Sequence, residues 1–287
     1  MMKRKISTFL LILSVVMIYS CEQKVNNKKV TIAYVNWAEG VAMTKLSQAL
    51  LEKEGYTVEL KNADVAPVFA AVAGGDADIF MDTWMPITHK EYMDKYGENL
   101  EVLGTNFQNA RIGFVVPEYV NVNSIDELNA NTALFKGKIV GIDAGAGIMS
   151  KAEMAIKDYD LKLELQSASE AAMLAVLKKS VDAKEPIIIT GWSPHYIFST
   201  YKLKFLNDPK AVFGSVETIQ TIANKTFAAS NPEVKAFFSN FQLNDVELGS
   251  LMAALENNDD EAEAVGNWMT THNDFVVKMT TFLKTAE

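Results

Sequence analysis

ITGWSPHY, residues 189–196, ends an apolar run that starts at Glu185-Pro186 and breaks directly into Trp192, Ser193, Pro194 and His195. It reads as a buried strand delivering a tryptophan to its carboxyl end. The arrangement occurs twice more: Trp37 follows the alternating run VTIAYV (30–35), and Trp84 follows ADIFMD (77–82). Each indole is expected one to three residues beyond a strand, at the edge where open α/β sheets bind ligands. Tryptophans ordinarily fill cores or their margins. Core packing, however, gives three of them no reason to share that edge. Trp268 lies in a helical pattern near the C-terminus and is read as core.

Outward from these strands the chain alternates. Strand 29–35 leads through Trp37 to a helix over 41–54 ended by Gly55, then strand 57–61, a helix near 65–73, the Gly74-Gly75 break and strand 77–82. This order implies a mostly parallel sheet with helices on its faces. The pattern restarts at Arg111 with strand 112–116. Ser124 and Glu127 have capping-box spacing for a short helix. Strand 138–142 runs into IDAGAGIM and a helix to about Asp158, followed by a strand near 161–165, a helix over 169–179 and strand 186–190. After Asn207-Asp208-Pro209 come a strand at 217–223, a helix started by Asn231-Pro232, and helices over 244–257 and 260–283. The expected organisation is a discontinuous first lobe, 28–110 plus 212–287, with a second lobe, 111–211, inserted in it.

The 287 residues suffice for two domains with proper cores, and 49% hydrophobic with 22% charged residues is a globular composition. A net charge of -9 argues against a nucleic-acid partner, which needs clustered Lys and Arg. Lys3, Arg4 and Lys5 precede an apolar run from Ile6 to Ile18 and then Cys21, the single cysteine. Residues 1–21 read as a secretory signal ending where a bacterial lipoprotein places its lipidated cysteine. An ordinary cleaved signal is the alternative. Lipid at Cys21 would tether the protein to a membrane, with 22–28 as the tether, and one cysteine allows no disulfide within the chain.

If the three indoles converge, their electron-rich faces suit a cation that donates no hydrogen bonds, a quaternary ammonium, at roughly 0.5 to 2 kcal/mol for each contact. Glu39, Gly40 and Val41 begin a helix beside Trp37, so the amides of Gly40 and Val41 offer an anion site, glycine permitting close approach. His195 is a candidate donor to the same anion, or a structural histidine. Gly145 and Gly147 make a lone GxG, which more often marks a tight turn. GxSxG, Walker, HExxH and paired-cysteine motifs are missing, so no catalytic residues, metal or cofactor are expected. Ser193 and His195 do not make a triad by proximity in sequence.

The segments AYVNWAEGVA (33–42), DIFMDTWMPITH (78–89), RIGFVVPEYVNVNSIDEL (111–128), GKIVGIDAGAGIM (137–149), ASEAAML (168–174) and IITGWSPHY (188–196) resemble the glycine betaine-binding proteins of ABC uptake systems. The similarity runs from about Lys29 to the C-terminal helices. It implies a two-lobed α/β fold of the type II periplasmic-binding-protein kind, each lobe a mixed, mostly parallel sheet flanked by helices. It further implies a cage of Trp37, Trp84 and Trp192, a carboxylate held by Gly40, Val41 and His195, and a monomeric receptor outside the membrane serving a permease and an ATPase on separate chains. Some relatives draw a cage tryptophan from the region matching 217–221, where ETIQT has none, so the cage relies on Trp37. Ile87 stands where a polar residue is common. The alternatives are a choline or carnitine receptor of the same fold, or an envelope enzyme acting on quaternary amines.

Overall fold

The computed structural model describes residues 28–284. The expected signal segment 1–21 with Cys21, and all of the tether except Lys28, lie outside the described residues.

Val30, Ile32 and Ala33 bury the first strand, β1 (Lys29–Tyr34), and the chain turns at Asn36-Trp37 into α1 (Ala38–Lys53). β2 (Thr57–Asn62) pairs parallel with one edge of β1, Lys29 opposite Thr57. The helix α2 (Val65–Gly74) is stopped by Gly75 at φ +82, the left-handed backbone that glycine adopts without cost. β3 (Ile79–Met85) then lies parallel on the other edge of β1, Ile32 opposite Ile79. A short helix α3 (Lys90–Tyr96) leads into β4 (Leu100–Pro117), an 18-residue strand.

The second set of elements is β5 (Lys138–Val140), α4 (Gly147–Asp158), β6 (Glu164–Gln166), α5 (Glu170–Asp182), β7 (Ile189–Ser193), α6 (Ile197–Thr200) and β8 (Leu203–Phe205). The chain then returns through β9 (Glu217–Asn224) and ends in α7 (Lys225–Ser230), α8 (Pro232–Asn240), α9 (Asp245–Glu256), α10 (Glu261–Thr271) and α11 (Asn273–Thr281). The strand order is β2-β1-β3-β9-β4-β7-β5-β6, with β8 also on β4.

β4 is shared by two halves. Leu100 to Ala110 pair with β9, whereas Arg111 to Val115 pair with β7. Parallel pairings lie at the outer strands of each half, β1 with β2 and β3, and β5 with β6 and β7; β9, β4 and β8 add antiparallel ones, so the sheet is mixed. Buried Asn106 ties the strands together: its side chain donates to the Met81 carbonyl and accepts from Thr221 Oγ1 at 2.8 Å. Under the first half Phe237, Phe238, Phe241 and Phe275 form an edge-to-face aromatic core with Trp268, whose indole N–H donates to Ser250 Oγ at 2.8 Å. The core reading of Trp268 therefore holds.

The differences from the sequence reading are local. The helix expected over 260–283 divides at His272, which caps both α10 and α11 and stacks on Trp268 at 3.8 Å. Ser124 opens a single 3-10 turn over Ile125–Glu127, but its hydroxyl goes to Asp126 and the Asn207 carbonyl, and Glu127 accepts from Asn123 N rather than from Ser124 N, so the capping box does not form. A true capping box stands at Asn244 and Glu247.

Gly104 lets α8 pack closely on the sheet. A Cβ there would lie 2.7 Å from the carbonyl oxygen of Ser239, a backbone atom of α8 that cannot swing aside. Gly104→Ala is therefore expected to lower the unfolding free energy by about 1 to 3 kcal/mol in urea titration. An unchanged midpoint would show that β4 and α8 separate freely.

Candidate functional site

Strand ends carry the tryptophans to one place. Trp37 is the N-cap of α1, three residues past β1, while Trp84 and Trp192 sit within the last two residues of β3 and β7, because the pairing of Met85 with Thr218 and of Ser193 with Arg111 carries those strands one residue beyond the indoles. Both later strands run into a Trp-X-Pro turn with a cis peptide bond, Met85-Pro86 and Ser193-Pro194. The three indoles line a single small cavity, together with Glu39, Thr88 and His89 from the first half and Ile112, Ile142, Ala146, Gly147 and Ile148 from the second.

Each indole N–H is directed to a carboxylate. Trp84 Nε1 donates to Asp82 Oδ1 at 2.8 Å, and Trp192 Nε1 donates to Glu39 Oε2 at 2.8 Å across the two halves. Trp37 Nε1 makes no hydrogen bond at normal distance among the described residues, yet it faces Asp143 and opposes the upward push that burial gives that carboxyl. With the Trp84 and Trp192 donors satisfied at the ring edges, their ring surfaces remain for the cavity. That leaves an aromatic enclosure suited to a cation lacking N–H groups.

The acids beneath the rings are buried close together. Burial first, then the charges of Asp82 and Glu170, hold the Glu39 carboxyl well above the usual carboxylate range, against the opposing Trp192 hydrogen bond. Burial pushes Asp82 up to about 7; the Trp84 N–H opposes this and Glu170 adds to it. Glu170 also accepts from His195, Nε2 to Oε1 at 3.0 Å. His195 Nδ1 accepts from Ile197 N at 3.2 Å, which fixes the ring proton on Nε2.

His89 is placed by the same device with the opposite result. Its Nδ1 accepts from Trp84 N at 3.0 Å, so the neutral ring carries its proton on Nε2, and that atom has no partner among the described residues. Burial depresses its pKa to about 3, keeping it neutral. It stacks on Trp37 at 5.8 Å and lines the cavity. The turn that presents it is held by Glu217, whose carboxylate accepts from Ile87 N and Thr88 N, both at 2.8 Å.

Facing His89 is the start of α4. Its N-cap is Ala146, which has no side-chain acceptor, so the first helical amides, Gly147 and Ile148, are left without a capping group at the cavity wall. Gly147 is required by space as well, since a Cβ would lie 2.2 Å from the Thr88 carbonyl oxygen.

Of the six residues singled out in the sequence, the structure brings together Trp37, Trp84 and Trp192. Gly40, Val41 and His195 are not in the cavity wall. Val41 N already donates to Trp37 O at 2.8 Å, Gly40 packs on the Asp82 carboxylate, where a Cβ would meet Oδ2 at 2.5 Å, and the His195 N–H is committed to Glu170. The cavity residues that sequence reasoning passed over are His89, Ile148 and Gly147, the last read only as part of a lone GxG marking a turn. Their signals were present, a histidine closing WMPITH and a glycine opening a helix at AGIM.

Residues 28–271 match the family model of the substrate binding domain of ABC-type glycine betaine transport systems. The glycine betaine/carnitine transport binding protein of Listeria monocytogenes is 41% identical over 145 residues, 50% of this chain and 48% of that protein, so the match spans about half the length of that relative. The crystal structure of lactococcal OpuAC in its closed-liganded conformation with glycine betaine superposes with a TM-score of 0.83 at 36% identity, covering 88% of this chain and 99% of the other. The glycine/betaine/L-proline-binding protein ProX of Borrelia burgdorferi superposes with a TM-score of 0.84 at 31% identity, covering 89% and 100%.

The raised carboxyl of Asp82 has a measurable consequence. The folded protein retains a proton that the unfolded chain, at the ordinary value of 3.8, has lost, so stability is greatest below that value and declines as pH rises through about 7. Glu39 is raised in the same direction, by burial first and then by the charges of Asp82 and Glu170. Asp82→Asn should flatten the fall in Tm between about pH 5 and pH 8, an effect on the order of a few kcal/mol at the upper end. Parallel pH profiles for the two proteins would show that Asp82 does not carry this proton.

Proposed function

This chain belongs to the family of substrate-binding domains of ABC-type glycine betaine transport systems, and from that premise we propose that its cavity holds glycine betaine by its two charged ends. The observation that carries this is one cavity lined both by three indoles and by residues with neutral hydrogen-bond donors to spare: the Gly147 and Ile148 amides, which have no capping side chain, and His89 Nε2, which has no partner among the described residues. The trimethylammonium group lies among Trp37, Trp84 and Trp192, where it needs no acceptor. The carboxylate takes the helix amides, with the positive end of the α4 dipole behind them, and the His89 N–H.

This assignment replaces Gly40, Val41 and His195 as the anion site, on physical grounds. A ligand carboxylate near Gly40 would face Asp82, and one near His195 would compete with Glu170. Like charges in a buried space repel.

Residues 28–110 with 212–287, and 111–211, act as the two lobes, joined where β4 changes partners. Trp37, Trp84 and His89 belong to the first; Trp192, Gly147 and Ile148 belong to the second. Only the closed arrangement brings both sets onto one ligand, so binding favours closure. The protein performs no chemistry on the ligand. It works as a monomer on the outer side of a membrane, anchored through lipid at Cys21, and delivers the ligand to a permease with its ATPase on separate chains.

The test is calorimetric titration of the purified protein, stripped of bound ligand, with glycine betaine and with choline. One-to-one binding of glycine betaine, with choline weaker by at least about ten-fold because it has no carboxylate for the α4 amides, is the expected result. Equal affinity for the two would remove the anion half of the site. Trp192→Ala is expected to raise Kd for glycine betaine by one to two orders of magnitude, about 1.4 kcal/mol for each, with the circular dichroism spectrum retained. An unchanged Kd would remove the cage.

A further inference from the structure

The aromatic enclosure alone does not account for the acid in its wall. Glu39 is the one carboxylate among the residues lining the cavity, and it is 1% exposed. Its Oε2 is fixed by the indole N–H of Trp192, from the opposite half, at 2.8 Å. Asp82 lies close behind, with Oδ1 on Trp84 and Oδ2 buried without a partner among the described residues. Nothing basic lines the cavity: its remaining side chains are aromatic, aliphatic, Thr88 and neutral His89.

Two buried acids beside an apolar enclosure are costly, and a structural role would be served as well by an uncharged acceptor for the indole. A carboxylate becomes an advantage only when the neighbouring occupant is positive. We propose that Glu39 is a specificity-determining residue of this cavity: its carboxylate, pinned by Trp192 on closure, makes the enclosure select a permanently charged quaternary ammonium over an uncharged group of the same shape. The inference rests on the reading of the cavity as a quaternary-ammonium site. It assigns the choice of charge to one side chain of the first lobe and leaves the choice of shape to the indoles.

The rings by themselves discriminate charge only weakly at each contact. Burial and the neighbouring acids favour the protonated form of Glu39 in the empty cavity; a cation among the indoles favours its ionised form, and that carboxylate adds a Coulomb attraction that an uncharged isostere cannot obtain. Glu39 also reports closure, since its partner Trp192 reaches it only when the lobes meet. The charge that attracts the ligand is thereby aligned by the residue that covers it.

The experiment compares glycine betaine with tert-butylacetate, which replaces the quaternary nitrogen by carbon and keeps the methyl groups and the carboxylate. Both are titrated into the wild type and into Glu39→Gln, which keeps an oxygen for the Trp192 indole and drops the charge. The wild type should prefer glycine betaine strongly. In Glu39→Gln the preference should shrink at least ten-fold, through weaker binding of glycine betaine with tert-butylacetate unchanged or tighter. Glu39→Met, apolar and of similar length, is the second variant should the amide be poorly accommodated; it should lose the preference to the same extent. A preference preserved in whichever variant folds, or an equal loss for both ligands, would overturn the proposal and leave Glu39 as a mere support for Trp192. Failure of the wild type to bind either compound would instead overturn the reading of the cavity itself.

Discussion

The cavity depends on burying the edges of its tryptophans against carboxylates. An indole has a single donor, and that donor must be satisfied where it does not compete for the ring surface. Asp82 and Glu39 accept the donors of Trp84 and Trp192, and Asp143 faces that of Trp37. The two histidines that follow the cis-proline turns obey the same logic. Each accepts a backbone N–H on Nδ1, which fixes its remaining proton on Nε2. One is then spent on Glu170, and the other is left facing the cavity.

These anchors come from both sides of β4, and that makes closure an electrostatic event as much as a steric one. The halves meet at Trp192 with Glu39, at Tyr92, whose hydroxyl donates to Gly145 O at 2.9 Å, and at Gly147 against the Thr88 carbonyl. The same approach carries Glu170 of the second half toward Glu39 and Asp82 of the first, which raises both carboxyls. Bringing three acids together in a medium of low dielectric is unfavourable unless a proton or a cation is taken up with them. On the proposed reading, a cationic group among the indoles would offset that cost in the closed state alone, and so contribute to closure beyond its contacts with the rings.

The repeating strand-helix units and the three tryptophans at strand ends were legible because both signals are local: hydrophobic period, a glycine stop, an aromatic beyond an apolar run. The change of half near Ala110 and Arg111 could be placed because the pattern restarts there. The first half of β4 could not. Its pairing with β9 shifts register between Val102 and Gly104, between Thr105 and Phe107 and again before Ala110, so inward and outward residues lose their period of two. The break at His272 has neither glycine nor proline to announce it; it is accompanied by contacts of the His272 ring with Trp268, stacked on its indole and with Nδ1 2.9 Å from its carbonyl oxygen. The histidines were exchanged for a related reason. His195 stands three residues from its tryptophan and His89 five, and spacing cannot say which of the two finds a carboxylate partner from another element.

A zwitterion is neutral overall, so a cavity that recognises one must supply opposite potentials a few ångströms apart rather than net charge. An arginine or lysine at the anion end would bind a carboxylate more strongly in isolation, but it would also reach Glu39 and Asp82 and neutralise the cage from within. Backbone amides do not have that freedom. The Gly147 and Ile148 N–H groups are held by α4, and burial depresses the pKa of His89 to about 3, so all three donors stay uncharged at physiological pH. The negative end is built from mobile charge held in place by indoles, and the positive end from fixed dipoles. Because the dipoles cannot move toward the acids, the cavity keeps its polarity without a ligand to separate its two ends.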